Sequence, residues 1–145
     1  MKPCAATVVP QVDKNLFRNI EKVVEVMPDI DLGTRENGEP IVVSCHHVAH
    51  ALAKVFPVEV RDGYFGNKGW RHSWLVTRNE MIIDSYPWAM IGGPFLVDTR
   101  FFSPWPKLYI ENNLSGLDDK KFLKEVEIVA GVIRETVVNL KIEAF

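Results

Sequence analysis

Cys45, His72 and Asp84 place a thiol, an imidazole and a carboxylate in one chain order. Together those groups can carry out nucleophilic acyl chemistry. A thiol attacks a carbonyl only after losing its proton. An imidazole beside it can take that proton and later deliver it to a leaving group. A carboxylate behind the imidazole fixes its tautomer and orientation. Each residue also has a plain structural reading. Cys45 can be a small buried hydrophobe, His72 a strand residue, and Asp84 before Ser85 the opening of a turn. The catalytic reading requires elements that bring all three to one point.

Residues 44–55 (SCHHVAHALAKV) read as a helix with Ser44 as its N-cap and Cys45 in its first turn. Free N–H groups and the helix dipole favour a thiolate there, and those N–H groups can form part of an oxyanion hole. Residues 58–65, 72–77 and 81–86 are rich in β-branched and aromatic side chains and read as strands. Arg78-Asn79-Glu80 makes a tight turn, so the last two of these form a hairpin. His72 then opens one strand and Asp84 lies near the end of the next, and the two can sit side by side. The Cys helix needs only to pack its N-terminus against that hairpin.

The remaining elements frame this unit. Residues 13–27 read as an amphipathic helix capped by Asp13, with Leu16, Ile20, Val23, Val24 and Met27 on one face and Pro28 as its stop. Residues 29–40 are polar and read as a loop. Phe95–Val97 and residues 108–110 are short strands. Residues 115–140 form a closing helix, with Ser115 and Asp118 at capping-box spacing and Val126, Val129, Ile133, Val137 and Leu140 as its buried stripe. The expected fold class is α+β, as one domain over residues 1–145.

The stretches Ser44-Cys45, the helix through Ala49, Leu52 and Ala53, Val60-Arg61-Asp62-Gly63-Tyr64, His72-Ser73-Trp74-Leu75-Val76 and Ile82-Ile83-Asp84 follow one another in order. In that order they resemble the transglutaminase-like branch of the papain-fold thiol enzymes. The resemblance covers residues 42–87, under a third of the chain, and includes every triad position. It implies a papain-like core with Cys45 as nucleophile, His72 as general acid/base and Asp84 as orienter, acting through a thioester. The acyl group then passes to water, as in a peptidase, amidase or deamidase, or to an amine, as in a transferase. Hydrolysis is the first choice, since a small domain offers limited surface for two substrates. A catalytically inactive binding domain on the same scaffold is the alternative. One departure stands out: the family often has Gly before the Cys and a Trp or apolar residue close by, whereas His46 and His47 follow Cys45 here.

Trp70, Trp74, Tyr86 and Trp88 are the candidate substrate-binding side chains. Trp74 shares His72's strand face, and Tyr86 and Trp88 belong with Phe101, Phe102 and Trp105 in an aromatic groove edged by Gly92-Gly93. Such a cluster also suits a plain core. Trp70, Asn67 and Gln11 are of the right type for an oxyanion donor. Arg61 suits a substrate carboxylate or a surface ion pair. A zinc site is the rival reading, because His46 and His50 stand four apart on one helical face with Cys45 beside them, although the metalloprotease glutamate is missing. The triad reading calls for neither a metal nor an organic cofactor.

Bulk properties narrow the partners. A net charge of −2 over 145 residues offers no electrostatic case for nucleic acid or an anionic membrane surface. No apolar run approaches the ~20 residues that cross a bilayer, and residues 1–10 are too weakly apolar for a secretory leader. The two cysteines, Cys4 and Cys45, are too few for a disulfide scaffold and read as free thiols. The expectation is a soluble cytoplasmic protein acting on an amide or acyl group of a peptide or protein.

Overall fold

The computed structural model describes residues 9–66, 69–85, 94–100 and 105–143. Its elements run α1 (Gln11–Val26), α2 (Cys45–Val55), β1 (Glu59–Phe65), β2 (Trp70–Val76), β3 (Ile82–Asp84), β4 (Phe95–Val97), β5 (Tyr109–Glu111) and α3 (Lys120–Leu140), with a 3-10 turn at Trp105–Leu108. The class is α+β. The strands form one antiparallel sheet in the order β4-β3-β2-β1-β5.

The hairpins come from turn chemistry. β2 and β3 are joined through Arg78 to Glu80, where Glu80 adopts φ 66° and the Thr77 N–H donates to the Met81 carbonyl at 2.9 Å. β1 pairs with β2 along its whole length, which sets Asp62 opposite Ser73 and Gly63 opposite His72. On its other edge β1 pairs with β5 through Gly63, Tyr64 and Phe65. A Cβ at Gly63 would overlap the Ile110 carbonyl and sit 2.9 Å from the Asn112 nitrogen, so only glycine lets β5 come this close.

Side chains alternate across the sheet. Leu75 and Ile83 join the main core, together with Ile20 and Val23 of α1, Ala49 and Leu52 of α2, and Val129 and Ile133 of α3; all eight are fully buried. Trp74, Val76, Ile82 and Val97 form a second cluster, against which Phe95 and Tyr109 pack.

Several sequence expectations shift. Asp13 does not cap α1, which starts at Gln11 behind Pro10. Proline's fixed φ, here −57°, suits a helix start. The Asp13 carboxylate is buried and accepts from Thr77 Oγ1 at 3.2 Å and Asn79 Nδ2 at 3.4 Å, so it ties α1 to the hairpin turn. The closing helix starts at Lys120, capped by Asp119, whose side chain accepts from the Lys121 N–H at 3.2 Å. Residues 115–118 are a turn, because Gly116 holds φ 91° and a helix cannot pass through it. Val126, Val129, Ile133 and Val137 are buried as the stripe requires, whereas Leu140 is exposed in the last turn. The final strand is Tyr109–Glu111, with Leu108 in the 3-10 turn.

Candidate active site

Ser44 builds the helix end that carries the nucleophile. Its hydroxyl accepts from the His47 N–H at 3.4 Å, and its own N–H donates to His47 Nδ1 at 3.0 Å, a reciprocal capping box. With Nδ1 accepting, His47 Nε2 carries the proton and donates to Glu125 Oε1 of α3 at 2.8 Å. The start of α2 is thereby pinned to α3. Cys45, half-buried, is the first residue of this helix.

His72 stands on β2 with both it and Asp84 fully buried. Its Nε2–H donates to Asp84 Oδ2 at 2.8 Å. The same oxygen accepts from the Tyr109 hydroxyl at 2.8 Å. Phe65, Trp74 and Tyr109 surround the imidazole, with ring centroids 5.9, 6.2 and 6.3 Å away. His72 Nε2 is engaged on Asp84, and the Cys45 thiol and the His72 imidazole act on one another's protonation.

A second imidazole, His46, also contributes to lowering the Cys45 pKa, and its Nδ1 lies 2.6 Å from Ser73 Oγ. Ser73 in turn donates to Asp62 Oδ1 at 2.5 Å, and His50 Nε2 lies 2.8 Å from that oxygen.

The electrostatics follow from these contacts. Burial raises the Cys45 pKa, but hydrogen bonds and charge from His46 and His72 outweigh it and bring the thiol from 9.0 to about 6. Burial works against the His72 imidazolium, while hydrogen bonds and charge from Asp84 and Cys45 carry it from 6.5 up to about 9. Between those values the stable form is a thiolate beside an imidazolium. Burial pushes the Asp62 carboxyl up, and its bonds from His50 and Ser73, with the charges of His50 and His46, take it below its usual value.

His72 and Asp84 therefore meet directly, and His72 acts on the protonation of Cys45. The other predicted residues are placed differently. Trp74 is only 3% exposed and belongs to the second cluster, so it backs His72 from within the core. Trp70, 43% exposed, opens β2 at the sheet end. Tyr86 and Trp88 lie outside the described residues, as do Cys4, Asn67, Gly92, Gly93, Phe101 and Phe102. Gln11 is not an oxyanion donor here: it donates to Asn15 on the exposed side of α1. Arg61 pairs with Glu59 at 3.4 Å and Glu111 at 3.7 Å. The three helix histidines turn to Ser73, Glu125 and Asp62 separately, and among the described residues no three potential ligands gather as a metal site. An open groove of about 370 Å³ runs past Ser44 and His46, flanked by Arg35, Arg71 and Phe122.

Tyr109 and the Asp62–Ser73 pair are the contributors that sequence reasoning missed. The hairpin register carries the signal for Asp62 and Ser73, which stand directly opposite. Tyr109 lies 25 residues from Asp84 and has no such local signal.

No family model, curated protein or solved structure matches this chain.

Proposed function

We propose that this protein is a thiol hydrolase of the papain-like, transglutaminase-like type, cleaving an amide or related acyl bond of a peptide or protein through a thioester on Cys45. The observation that carries this reading is the buried His72, held at 2.8 Å by Asp84, together with a Cys45 thiol whose pKa falls to about 6 under the influence of His46 and His72. The Cys45 thiolate attacks the carbonyl carbon, and the developing oxyanion is met by N–H groups of the first turn of α2, which have no intrahelical acceptor. The His72 imidazolium gives its Nδ1 proton to the leaving amine as the C–N bond breaks, leaving a thioester. Neutral His72 then takes a proton from water as the water oxygen attacks. The C–S bond breaks, the acid is released, and the thiolate–imidazolium pair returns. Asp84, buttressed by Tyr109, stabilises the imidazolium in both halves of the cycle.

Intact-mass analysis during turnover of p-nitrophenyl acetate tests this. The expected result is one acetyl group on Cys45 that the wild-type protein clears and that persists in the His72→Ala variant. Acetylation confined to other residues, or a Cys45 adduct cleared equally well without His72, contradicts it.

A further inference from the structure

The groove that runs past Ser44 and His46 takes no part in the chemistry above. It lies between the first turns of α2 and α3, and its volume of about 370 Å³ falls within the range of ligand sites, roughly 300–1,000 Å³. Ser44 and His46 are the two chain neighbours of Cys45. Buried Ile41 and half-buried Phe122 give the groove apolar surface.

The charges around it are uneven. On a chain of net charge −2, exposed Arg35, Arg71 and Lys121 come together here from three separate stretches of sequence. The two carboxylates of the groove are already engaged. Glu125 accepts from His47 Nε2 at 2.8 Å, and Asp119 accepts from the Lys121 N–H at 3.2 Å. Among the described residues none of the three cations forms an ion pair, whereas Lys54, Arg61 and Arg100 each lie beside a carboxylate.

Two of the cations are also fixed in place. Arg71 Nη2 donates to the Ser115 carbonyl at 2.8 Å, and Gly116 at φ 91° follows in the turn that presents it. A guanidinium has five N–H donors and this bond uses one, so the fork can still grip both oxygens of a carboxylate. Arg35 opens a tight turn. Its N–H donates to the Glu39 carbonyl at 2.7 Å, and its own carbonyl accepts from the Gly38 N–H at 2.9 Å. Groups held in this way lose less freedom when a ligand arrives.

We propose that this groove selects an acidic side chain, Asp or Glu, of the peptide or protein substrate, with Arg71 and Arg35 as its specificity residues and Lys121 adding to their field. This rests on Cys45 being the nucleophile of the proposed reaction, and it names the substrate class of that site. One exposed cation is worth little in water. Three around one concave surface raise the local concentration of an anionic ligand. A glutamine of the same shape gains nothing from that field, so the selection is by charge.

The test uses matched pairs of bromoacetyl peptide amides. In each pair one peptide carries Glu and the other Gln, placed one, two or three glycine-spaced positions from the bromoacetyl group. The Cys45 sulfur forms a C–S bond with the bromoacetyl carbon, the C–Br bond breaks and bromide leaves, so labelling needs no turnover. Labelling rates are read on the Cys45 peptide from pH 5 to 10 in full-length wild type, Arg35→Gln, Arg71→Gln and the double variant. Arg35 makes its turn through its backbone, so Arg35→Gln answers even if Arg71→Gln loosens the turn at Ser115. The expected result is a Glu peptide labelling about tenfold faster than its Gln partner at one spacing. That ratio falls in each single variant, approaches one in the double variant, and shrinks as salt rises. A ratio near one at every spacing, with both peptides labelling fast at pH 6, overturns the inference and leaves the proposed function standing. A ratio that survives in the double variant overturns the assignment to Arg35 and Arg71. The expected ratio on labelling that follows an ordinary thiol titration near ~8.5 supports the charge selection and removes the thiolate nucleophile. A ratio near one on that same titration overturns both readings.

Discussion

Two imidazoles with different backing lower the Cys45 pKa. Buried Asp84 accepts directly from His72 at 2.8 Å, whereas partly buried Asp62 accepts from Ser73, whose hydroxyl lies 2.6 Å from His46 Nδ1. The pair of values this produces gives turnover a bell-shaped pH dependence. Activity rises as Cys45 loses its proton through about 6 and declines as His72 loses its own through about 9. Steady-state kcat/KM measured across that range checks both limbs. Cys45→Ala abolishes turnover, and His72→Ala lowers it by about 10²–10⁴-fold, the usual worth of a proton-transfer group. Asp84→Asn costs less, because an amide oxygen can still accept from Nε2. Tyr109→Phe withdraws a donor from a buried carboxylate, so a urea denaturation curve is expected to show a loss of about 1.5–3 kcal/mol.

The elements that carry these residues were legible where one local device dominates. Ser44 marked the start of α2, and Arg78-Asn79-Glu80 marked the β2–β3 hairpin, so the two carriers of Cys45, His72 and Asp84 emerged from the chain alone. Local signals misled where tertiary partners compete for the same side chain. Asp13 has the chemistry of a cap but spends its carboxylate on Thr77 and Asn79, across 64 and 66 residues. Ser115 and Asp118 have capping-box spacing, yet Gly116 at φ 91° turns the chain there. The role of Gly63 was invisible for the same reason, since what it accommodates is a distant strand. Gly63→Ala would drive a Cβ into the β5 backbone, and about 1–3 kcal/mol or more of stability is expected to be lost. Because β5 carries Tyr109, the same variant is expected to weaken the His72–Asp84 pair. A lower alkaline limit of the kcat/KM profile would register that.

At the level of the whole molecule, two apolar clusters lie on opposite faces of the sheet, and the site forms where the start of α2 meets β2. Among the described residues no helix is long and apolar enough to cross a membrane. The ion pair gives the folded state a characteristic pH response. The contribution of Cys45, lowered from 9.0 to about 6, is fully present above 9.0 and is lost as pH falls through about 6. The contribution of His72, raised from 6.5 to about 9, is fully present below 6.5 and is lost as pH rises through about 9. Between 6.5 and 9 the two slopes oppose each other, so the pair leaves wild-type stability nearly flat. Cys45→Ala removes the rising slope and leaves His72 with Asp84, so its Tm is expected to fall relative to wild type as pH rises across that window. Parallel melting curves of the two proteins at several pH values check the sign.

The thiolate–imidazolium pair is open to a direct measurement, the pH dependence of Cys45 alkylation in wild type and His72→Ala. Peptide mass spectrometry separates Cys45 from Cys4. Rapid labelling of Cys45 is expected already near pH 6 in the wild type, with a clear slowing in the variant. Labelling that follows an ordinary thiol titration near ~8.5, identical in both proteins, would contradict it.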